Sequence, residues 1–549
     1  MFTKNKKNGT IWTMREDVED SILDNLFHKL NNYEKYPELT LLKDNNVRSA
    51  FLFSTGRSVH PEVFIKLYKR RGLKDILKHI FVPSKAVSEW RILRKLEDKN
   101  LPCPRPFAFS EKRSFRVLKD SCLIAEALTS AVPLNKHVEN MPAGHQKKRE
   151  LTKSLAFLIS KLHRSGIFYR DLHAGNILIR STDNGSAELF LIDLHRAAVL
   201  PGLLQWMRVR DLAQLCNSLR ASKADRLRFM KEYCNEETVS KNSFCTLQKK
   251  IYNKSLKLEK RRIKSRSKRC LKNSSVFEKS KTWDETYFGR RDFGREAAKK
   301  AVSLHSSHGK TDSDSNIKTS SKSVLTIRKL NNGFQLCTKG YRFLGTVYSA
   351  KNLFRKSRAI KSWIAANGLL VRGIQTPVPH ATVEKKWGPF IIESFFITQW
   401  LPDVSELNSY IQESASKQRK EAFIKACAQA VRKLHAQGIY HADLKSNNIL
   451  VTEKETDSWG FYFVDLDRVS FKENLTFYQR AKNLAQINAS VSSLITVKDR
   501  LKFFRFYAKG TPLFSERKRY YRKILEISST KITKPYGITF KHENSSHLQ

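Results

Sequence analysis

Two stretches of the chain hold the residues best suited to chemistry. GIFYRDLHAGNILI (166–179) sets Asp171 and Asn176 five positions apart between hydrophobic runs, and GIYHADLKSNNILV (438–451) does the same with Asp443 and Asn448. Each is followed by a short apolar run ending in an acid: LFLIDL carries Asp193 and FYFVDL carries Asp465. A loop, a strand, a turn and a second strand form one hairpin, which brings Asp, Asn and the later Asp to the same end of two neighbouring strands. Three oxygen-bearing side chains gathered there suit Mg²⁺, which takes few protein ligands and completes its shell with phosphate and water. Asp171, or Asp443 in the second stretch, is then left to accept a proton from a hydroxyl. Turns and caps also favour Asp and Asn, but two such sets in one chain weigh against that plainer reading.

The elements that must position these residues are themselves repeated. Leu162, His163, Gly166, Asp171, Asn176, Asp193 and Arg196 recur 272 positions later. Upstream the offset is 273, matching Lys66 with Lys339 and Trp90 with Trp363; RLRF (226–229) and RLKF (500–503) lie 274 apart. A period this long means duplicated domains, with small loop insertions between the blocks. EVFIKLYKR (62–70) alternates like a strand, while KAVSEWRILRKLEDKN (85–100) and LTKSLAFLISKLHRSG (151–166) have helical spacing. The turns STDNGSAE and TDSWG join the two strands of each hairpin. The expected division is an N-terminal extension (1–45), a first domain (46–240), a basic helical and flexible linker (241–323), a second domain (324–525) and a tail (526–549).

Composition narrows the partners. At 549 residues the chain exceeds a single core. A formal charge of +50 asks for an anionic partner, whether a phosphorylated substrate, an anionic membrane surface or nucleic acid. Residues 249–272 alone hold twelve Lys or Arg and one Glu. The eight cysteines form no CxxC and no regular framework, which fits reduced thiols. The N-terminus lacks a signal-like apolar core and no run reaches membrane-spanning length. The expectation is a cytoplasmic protein, or one peripheral at the cytoplasmic face of a membrane.

YRDLHAGN and HADLKSNN resemble the H-R-D-L-x-x-x-N catalytic loop of protein kinases, with LIDLH and FVDLD standing where D-F-G would be. Together with SEWRILRKL, PCPRP, SRAIKSWIAANGLL and IQTPVP, they resemble the lipopolysaccharide core (Kdo/heptose) kinase family across both copies. The resemblance implies an α+β fold of two tandem protein-kinase-like domains, each with a small β-rich N-lobe and a mostly helical C-lobe. It implies ATP and Mg²⁺ as cofactors and phosphorylation of a heptose or Kdo hydroxyl in the lipopolysaccharide inner core, at the inner membrane. By it, Asp171 and Asp443 are catalytic bases, and Asn176, Asp193, Asn448 and Asp465 are metal ligands. Lys66 and Lys339 hold the nucleotide phosphates, and Glu89 is the ion-pair partner of Lys66. An anionic glycolipid and membrane surface would then absorb the positive charge, leaving nucleic acid the less favoured partner.

The sequence departs from the kinase pattern in places. No G-x-G-x-x-G precedes Lys66, A-P-E is missing, and only 18 positions separate Asp193 from Asp211. That spacing leaves little room to dock a peptide, so a small or glycolipid acceptor is expected over a protein. The copies also differ. Glu89 is replaced by Ser362, Asp211 by Asn483 and Arg170 by Ala442. Lys339 thereby loses its expected carboxylate, and the first copy is expected to be the better-equipped catalyst. The competing readings are a kinase of another small-molecule or protein hydroxyl, and a pseudokinase-like pair that binds anionic lipid or nucleic acid.

Overall fold

The computed structural model describes residues 2–532, excluding 8–9, 17, 19, 46, 57–60, 70–78, 80–81, 115–116, 142–145, 182–186, 220, 237–240, 308–317, 321–322, 331–332, 342–355, 389, 414–416 and 456–457. The centres of the two hairpin turns, twelve residues of the expected linker and the end of the tail thus lie outside the described residues. The chain divides into two compact units, Met1–Arg261 and Arg262–Gln549. Each is α+β: a seven-stranded antiparallel sheet followed by a helical lobe, the protein-kinase-like arrangement.

In the first unit the strands run in the order Phe2–Lys7, Thr10–Arg15, Pro106–Ser114, Val117–Glu126, Glu62–Tyr68, Arg48–Ser54 and Leu39–Asp44. The second repeats this order with Phe277–Lys281, Glu285–Arg290, Pro379–Trp387, Phe390–Gln399, Gln335–Tyr341, Ser323–Lys329 and Lys318–Ser320. The first 45 residues therefore supply three strands of the sheet and the helix Leu26–Asn31, and residues 277–306 of the expected linker include two strands and the helix Arg295–Ser306 of the second unit. The boundary between the units falls inside the helix Lys241–Ser267, and the last helix, Arg517–Ile532, runs past 525. The edge strands Phe2–Lys7 and Phe277–Lys281 are short and lysine-rich, as edge strands are when they must not pair with other chains. That composition hides them from a search for hydrophobic alternation. Both copies even share one anchor: Phe2 packs edge-on against Trp90 at 5.3 Å, and Phe277 against Trp363 at 5.9 Å.

Two cores hold the first unit. One lies beneath the sheet, where Trp12, Met14, Leu26 and Leu30 meet Phe51, Val63 and Ile65. The other joins the sheet to the helix Lys85–Asp98 and the helical lobe through Trp90, Leu93, Leu155, Leu162, Leu212 and Tyr233. Ser84 caps that helix by accepting the Val87 N–H at 3.2 Å. In the second unit Ser357 caps Arg358–Val371 in the same way.

The glycine after each L-H-x-x-G is fixed by geometry. Gly166 has φ +74° and Gly438 φ +67°, and a Cβ would stand 2.1 Å from the Leu200 carbonyl oxygen or 2.2 Å from that of Lys472. Each glycine C=O accepts an N–H from the same neighbour, Leu200 at 2.8 Å and Lys472 at 2.7 Å, which closes the two-stranded ladder beside the catalytic loop. Gly166→Ala is expected to destabilise the first unit by at least about 2 kcal/mol, adding the left-handed penalty to a backbone clash. Urea unfolding followed by Trp fluorescence checks this, with Gly202→Ala, where a Cβ meets nothing, as the control.

Candidate active site

The strand Glu62–Tyr68 alternates, so Lys66 and Tyr68 share the face that meets the helix Lys85–Asp98. Both converge on Glu89, which is 2 % exposed. Lys66 Nζ donates to Oε1 at 2.5 Å, the Tyr68 hydroxyl donates to Oε2, and the Leu194 N–H reaches Oε1 at 3.3 Å. Burial and the Glu89 charge push the Tyr68 hydroxyl well up, so it stays a proton donor. Glu89 thus fixes Lys66, which a flexible ammonium cannot do by itself.

Asp193 stands next to this pair, at φ +63°. Arg48 clamps its carboxylate with both guanidinium nitrogens, at 2.6 and 2.9 Å. His195 Nδ1 lies 2.8 Å from Oδ1, and Lys66 Nζ 3.9 Å from it. Burial alone would raise the Asp193 pKa, but the bonds from His195 and Arg48 and the charge of Lys66 hold it far below the usual carboxylate range. Glu89, Asp193 and His195 could each offer a ligand atom within 4.8 Å of the others. Arg48 and Lys66 crowd the same place, so a bare divalent cation meets a positively charged surround.

The hairpin holds the rest. The Ile192 N–H donates to the Asn176 C=O at 3.0 Å, tying the two strand ends together. Asn176 Nδ2 donates to the Asp171 carbonyl at 3.1 Å, which turns its Oδ1 the opposite way. The Asp171 carboxylate is partly exposed, with Arg196 at 3.4 Å. Behind the loop, buried Asp211 accepts the Tyr169 N–H at 2.8 Å and the Arg170 N–H at 3.0 Å. Those two bonds hold Arg170 at φ +67°, a conformation it would not choose alone.

In the second unit, Ser362 stands in the place of Glu89 and meets the Tyr341 hydroxyl at 3.0 Å. Lys339 turns instead to Asp465, at 2.6 Å, which supplies the acid that the sequence did not reveal. Arg358 pairs with Asp467, at 2.7 Å. Asn448 Nδ2 donates to the Asp443 carbonyl at 2.8 Å, as Asn176 does to Asp171. The support behind the loop is inverted, though. Asn483 donates to the His441 C=O at 2.5 Å and Gln486 to the Ala442 C=O at 2.7 Å, and Ala442 is not left-handed. Swapping the Asp211 carboxylate for the Asn483 amide turns a group that accepts from backbone N–H into one that donates to a backbone C=O.

The same exchange leaves buried His435 facing the neutral Asn483, at 3.2 Å. Burial pushes the His435 pKa down to about 3, and that of His380 down to about 4. An unfolded histidine titrates near 6.5. The native second unit therefore binds fewer protons than the unfolded chain below that pH, and its stability is complete above 6.5 and falls as pH drops. Each histidine is expected to cost about 1 kcal/mol per unit between pH 6 and 5. Burial lowers His441 as well, so His435→Gln is expected to reduce, and not abolish, the pH dependence of stability in melting curves taken across that range.

The expected site residues thus fall into two clusters. The structure brings Lys66, Glu89 and Asp193 together in the first unit, and Lys339 and Asp465 in the second. Arg48, Tyr68, His195 and the Arg358–Asp467 pair escaped the sequence reading. Arg48 and Asp193 lie 145 positions apart, and no local spacing announces such a contact. Among the described residues no disulfide joins any of the eight cysteines, and no helix is long and apolar enough to cross a membrane.

Residues 38–233 and 342–507 match the lipopolysaccharide kinase (Kdo/WaaP) family, one segment in each unit and together about two thirds of the chain. The lipopolysaccharide core heptose(I) kinase WaaP of Pseudomonas aeruginosa is 27% identical over 183 residues, 31% of this chain and 68% of that protein. The 3-deoxy-D-manno-octulosonic acid kinase of Xanthomonas campestris pv. campestris (strain B100) is 32% identical over 145 residues, 26% of this chain; the match spans about half of that protein, 54%. Among solved structures, WaaP in complex with acyl carrier protein aligns with a TM-score of 0.34 and 21% identity, over 45% of this chain and 98% of that one. The Rio2 kinase-ADP/Mg2+-phosphoaspartate complex from Chaetomium thermophilum aligns with a TM-score of 0.26 and 13% identity, over 47% and 82%.

Proposed function

The chain belongs to the lipopolysaccharide kinase (Kdo/WaaP) family, and from that premise we propose that it transfers the γ-phosphate of ATP, with Mg²⁺, to a heptose or Kdo hydroxyl of the lipopolysaccharide inner core, mainly through its first unit. The observation that carries this reading is the convergence of Lys66, its fixed partner Glu89 and ionised Asp193, with Asp171 and Asn176 on the hairpin that ends in Asp193. The donor set fits the cofactor. Asp193 and Asn176 offer hard oxygens, the ligands Mg²⁺ prefers. When bound, Mg²⁺ and ATP supply the transferable phosphoryl group and neutralise its charge.

The chain's own residues do the rest. Lys66 is aimed by Glu89 and positions the nucleotide phosphates. Asp171 receives the proton of the acceptor hydroxyl, and its carboxylate is accessible enough to reach one. Arg196, beside it, directs that carboxylate. Asp211 holds the backbone of Tyr169 and Arg170 and so sets where Asp171 points. The second unit lacks both supports, the glutamate and the aspartate, so the first unit is the stronger catalyst. Lys249 and Lys257, exposed on the basic helix, suit an anionic membrane surface where such a glycolipid lies.

An acceptor panel tests the reading. Wild type with Mg²⁺ and labelled ATP is expected to label deep-rough lipopolysaccharide, and neither a generic protein acceptor nor an aminoglycoside. Labelling of protein in preference to lipopolysaccharide would overturn it.

A further inference from the structure

The expected glycine-rich phosphate loop is absent, and the turn in its place ends in an arginine that points at the metal ligand. Between the strands Leu39–Asp44 and Arg48–Ser54, Asn45 Oδ1 accepts the N–H of Val47 at 2.9 Å and of Arg48 at 3.0 Å. The Asn45 N–H in turn reaches the Arg48 C=O at 3.1 Å. Arg48 is thereby anchored at the first strand position, in register with Tyr68. Its guanidinium grips both oxygens of Asp193.

We infer that Arg48 is a phosphate clamp that Asp193 holds in reserve: the guanidinium fork passes from the Asp193 carboxylate to a phosphate of the donor when a metal-bound nucleotide arrives. The inference rests on the reading of the first unit as a metal-nucleotide site. A planar fork matches two carboxylate oxygens and two phosphate oxygens equally well, so the exchange conserves both hydrogen bonds. It also conserves charge. Asp193 sits among Arg48, Lys66 and His195, so a metal ion arriving alone would displace a cation into nothing. Arriving with phosphate, it takes Asp193 while the phosphate takes Arg48 and Lys66. The second unit is built otherwise, since the register position opposite Tyr341 is Ser323 and Lys339 itself occupies Asp465.

The test uses the full chain carrying Asp465→Asn to silence the second unit's metal ligand, with Mn²⁺ followed by electron paramagnetic resonance and a non-hydrolysable ATP analogue as the nucleotide. Arg48→Gln is expected to tighten Mn²⁺ binding without nucleotide about tenfold, because Asp193 is freed. It is expected to weaken nucleotide binding at saturating Mn²⁺ by about tenfold or more, because the fork is lost. Arg48→Lys keeps the charge and loses the fork; it should leave Mn²⁺ binding weak and still weaken the nucleotide. Far-ultraviolet circular dichroism and melting confirm that both variants fold. If Arg48→Gln tightened both ligands, Arg48 would be only a latch on Asp193 and the clamp would be wrong. Unchanged nucleotide affinity in folded Arg48→Gln and Arg48→Lys would likewise overturn it while leaving the kinase reading intact. Failure of the parent chain to bind the Mn²⁺-nucleotide complex at all would overturn that reading, and this inference with it.

Discussion

Asp171→Asn is expected to lower kcat for phosphate transfer by about 10²- to 10⁴-fold, the range that a positioned general base contributes. The substitution removes the proton acceptor and keeps the shape. Asp171 anchors Asn176 through its backbone carbonyl, not its carboxylate, so that contact survives. Only the Arg196 contact at 3.4 Å changes on the side-chain side. Mg²⁺-dependent nucleotide binding should therefore match wild type, and calorimetric titration checks it. A comparable loss of nucleotide affinity would mean that Asp171 is a ligand and not the base.

Glu89→Ala is expected to have the largest effect on stability. Lys66 and Glu89 are both buried, and the carboxylate accepts from Lys66, Tyr68 and Leu194. Removing it takes the acceptor from a hydroxyl and a backbone N–H and leaves the Lys66 ammonium only the more distant Asp193, at 3.9 Å. Breaking a buried pair from one side costs about 3–5 kcal/mol. The first unit's unfolding transition should fall accordingly, while the second unit's should stay where it is. In the fraction that remains folded, transfer is expected to drop at least about tenfold, because an unaimed Lys66 loses roughly one well-made charged hydrogen bond to the phosphates. Glu89→Gln keeps the volume and two acceptor sites; it should recover part of the stability and little of the activity.

How much of this was legible in the sequence depends on distance along the chain. The Asp171–Asn176 loop and the hairpin to Asp193 are local, encoded within 28 residues by a turn between two apolar runs, and they are found where expected. Lys66 and Glu89 are 23 positions apart and were joined by the family pattern, a spacing that a strand and a helix can span. Arg48 lies 145 positions from its partner and belongs to no motif, so only the folded sheet shows it. The same holds for Lys339 and Asp465, 126 positions apart. The outermost hairpin of each unit was missed for another reason. Its edge strand, FTKNKK in one unit and FEKSK in the other, is polar and lysine-rich, as suits an edge that must resist pairing. The signal was nonetheless present, since FTKNK at the start of one hairpin and FEKSK at the start of the other lie 275 positions apart and end alike in Arg15 and Arg290.

The copies show how a duplicated site can be altered without losing its loop. Both keep Asp, Asn and Asp, yet Glu89→Ser362 and Asp211→Asn483 between the copies change which group holds the lysine and which way the supporting peptides face. The chemistry-bearing residues are the same, and the groups that aim them are not.

The most direct test of the account is the mass spectrum of inner-core oligosaccharide after incubation with Mg²⁺, ATP and either wild type, Asp171→Asn or Asp443→Asn. The account predicts that wild type and Asp443→Asn each add one phosphate to a heptose or Kdo residue, and that Asp171→Asn adds it at least about a hundredfold more slowly. Phosphate added by Asp171→Asn and withheld by Asp443→Asn would contradict it and move catalysis to the second unit.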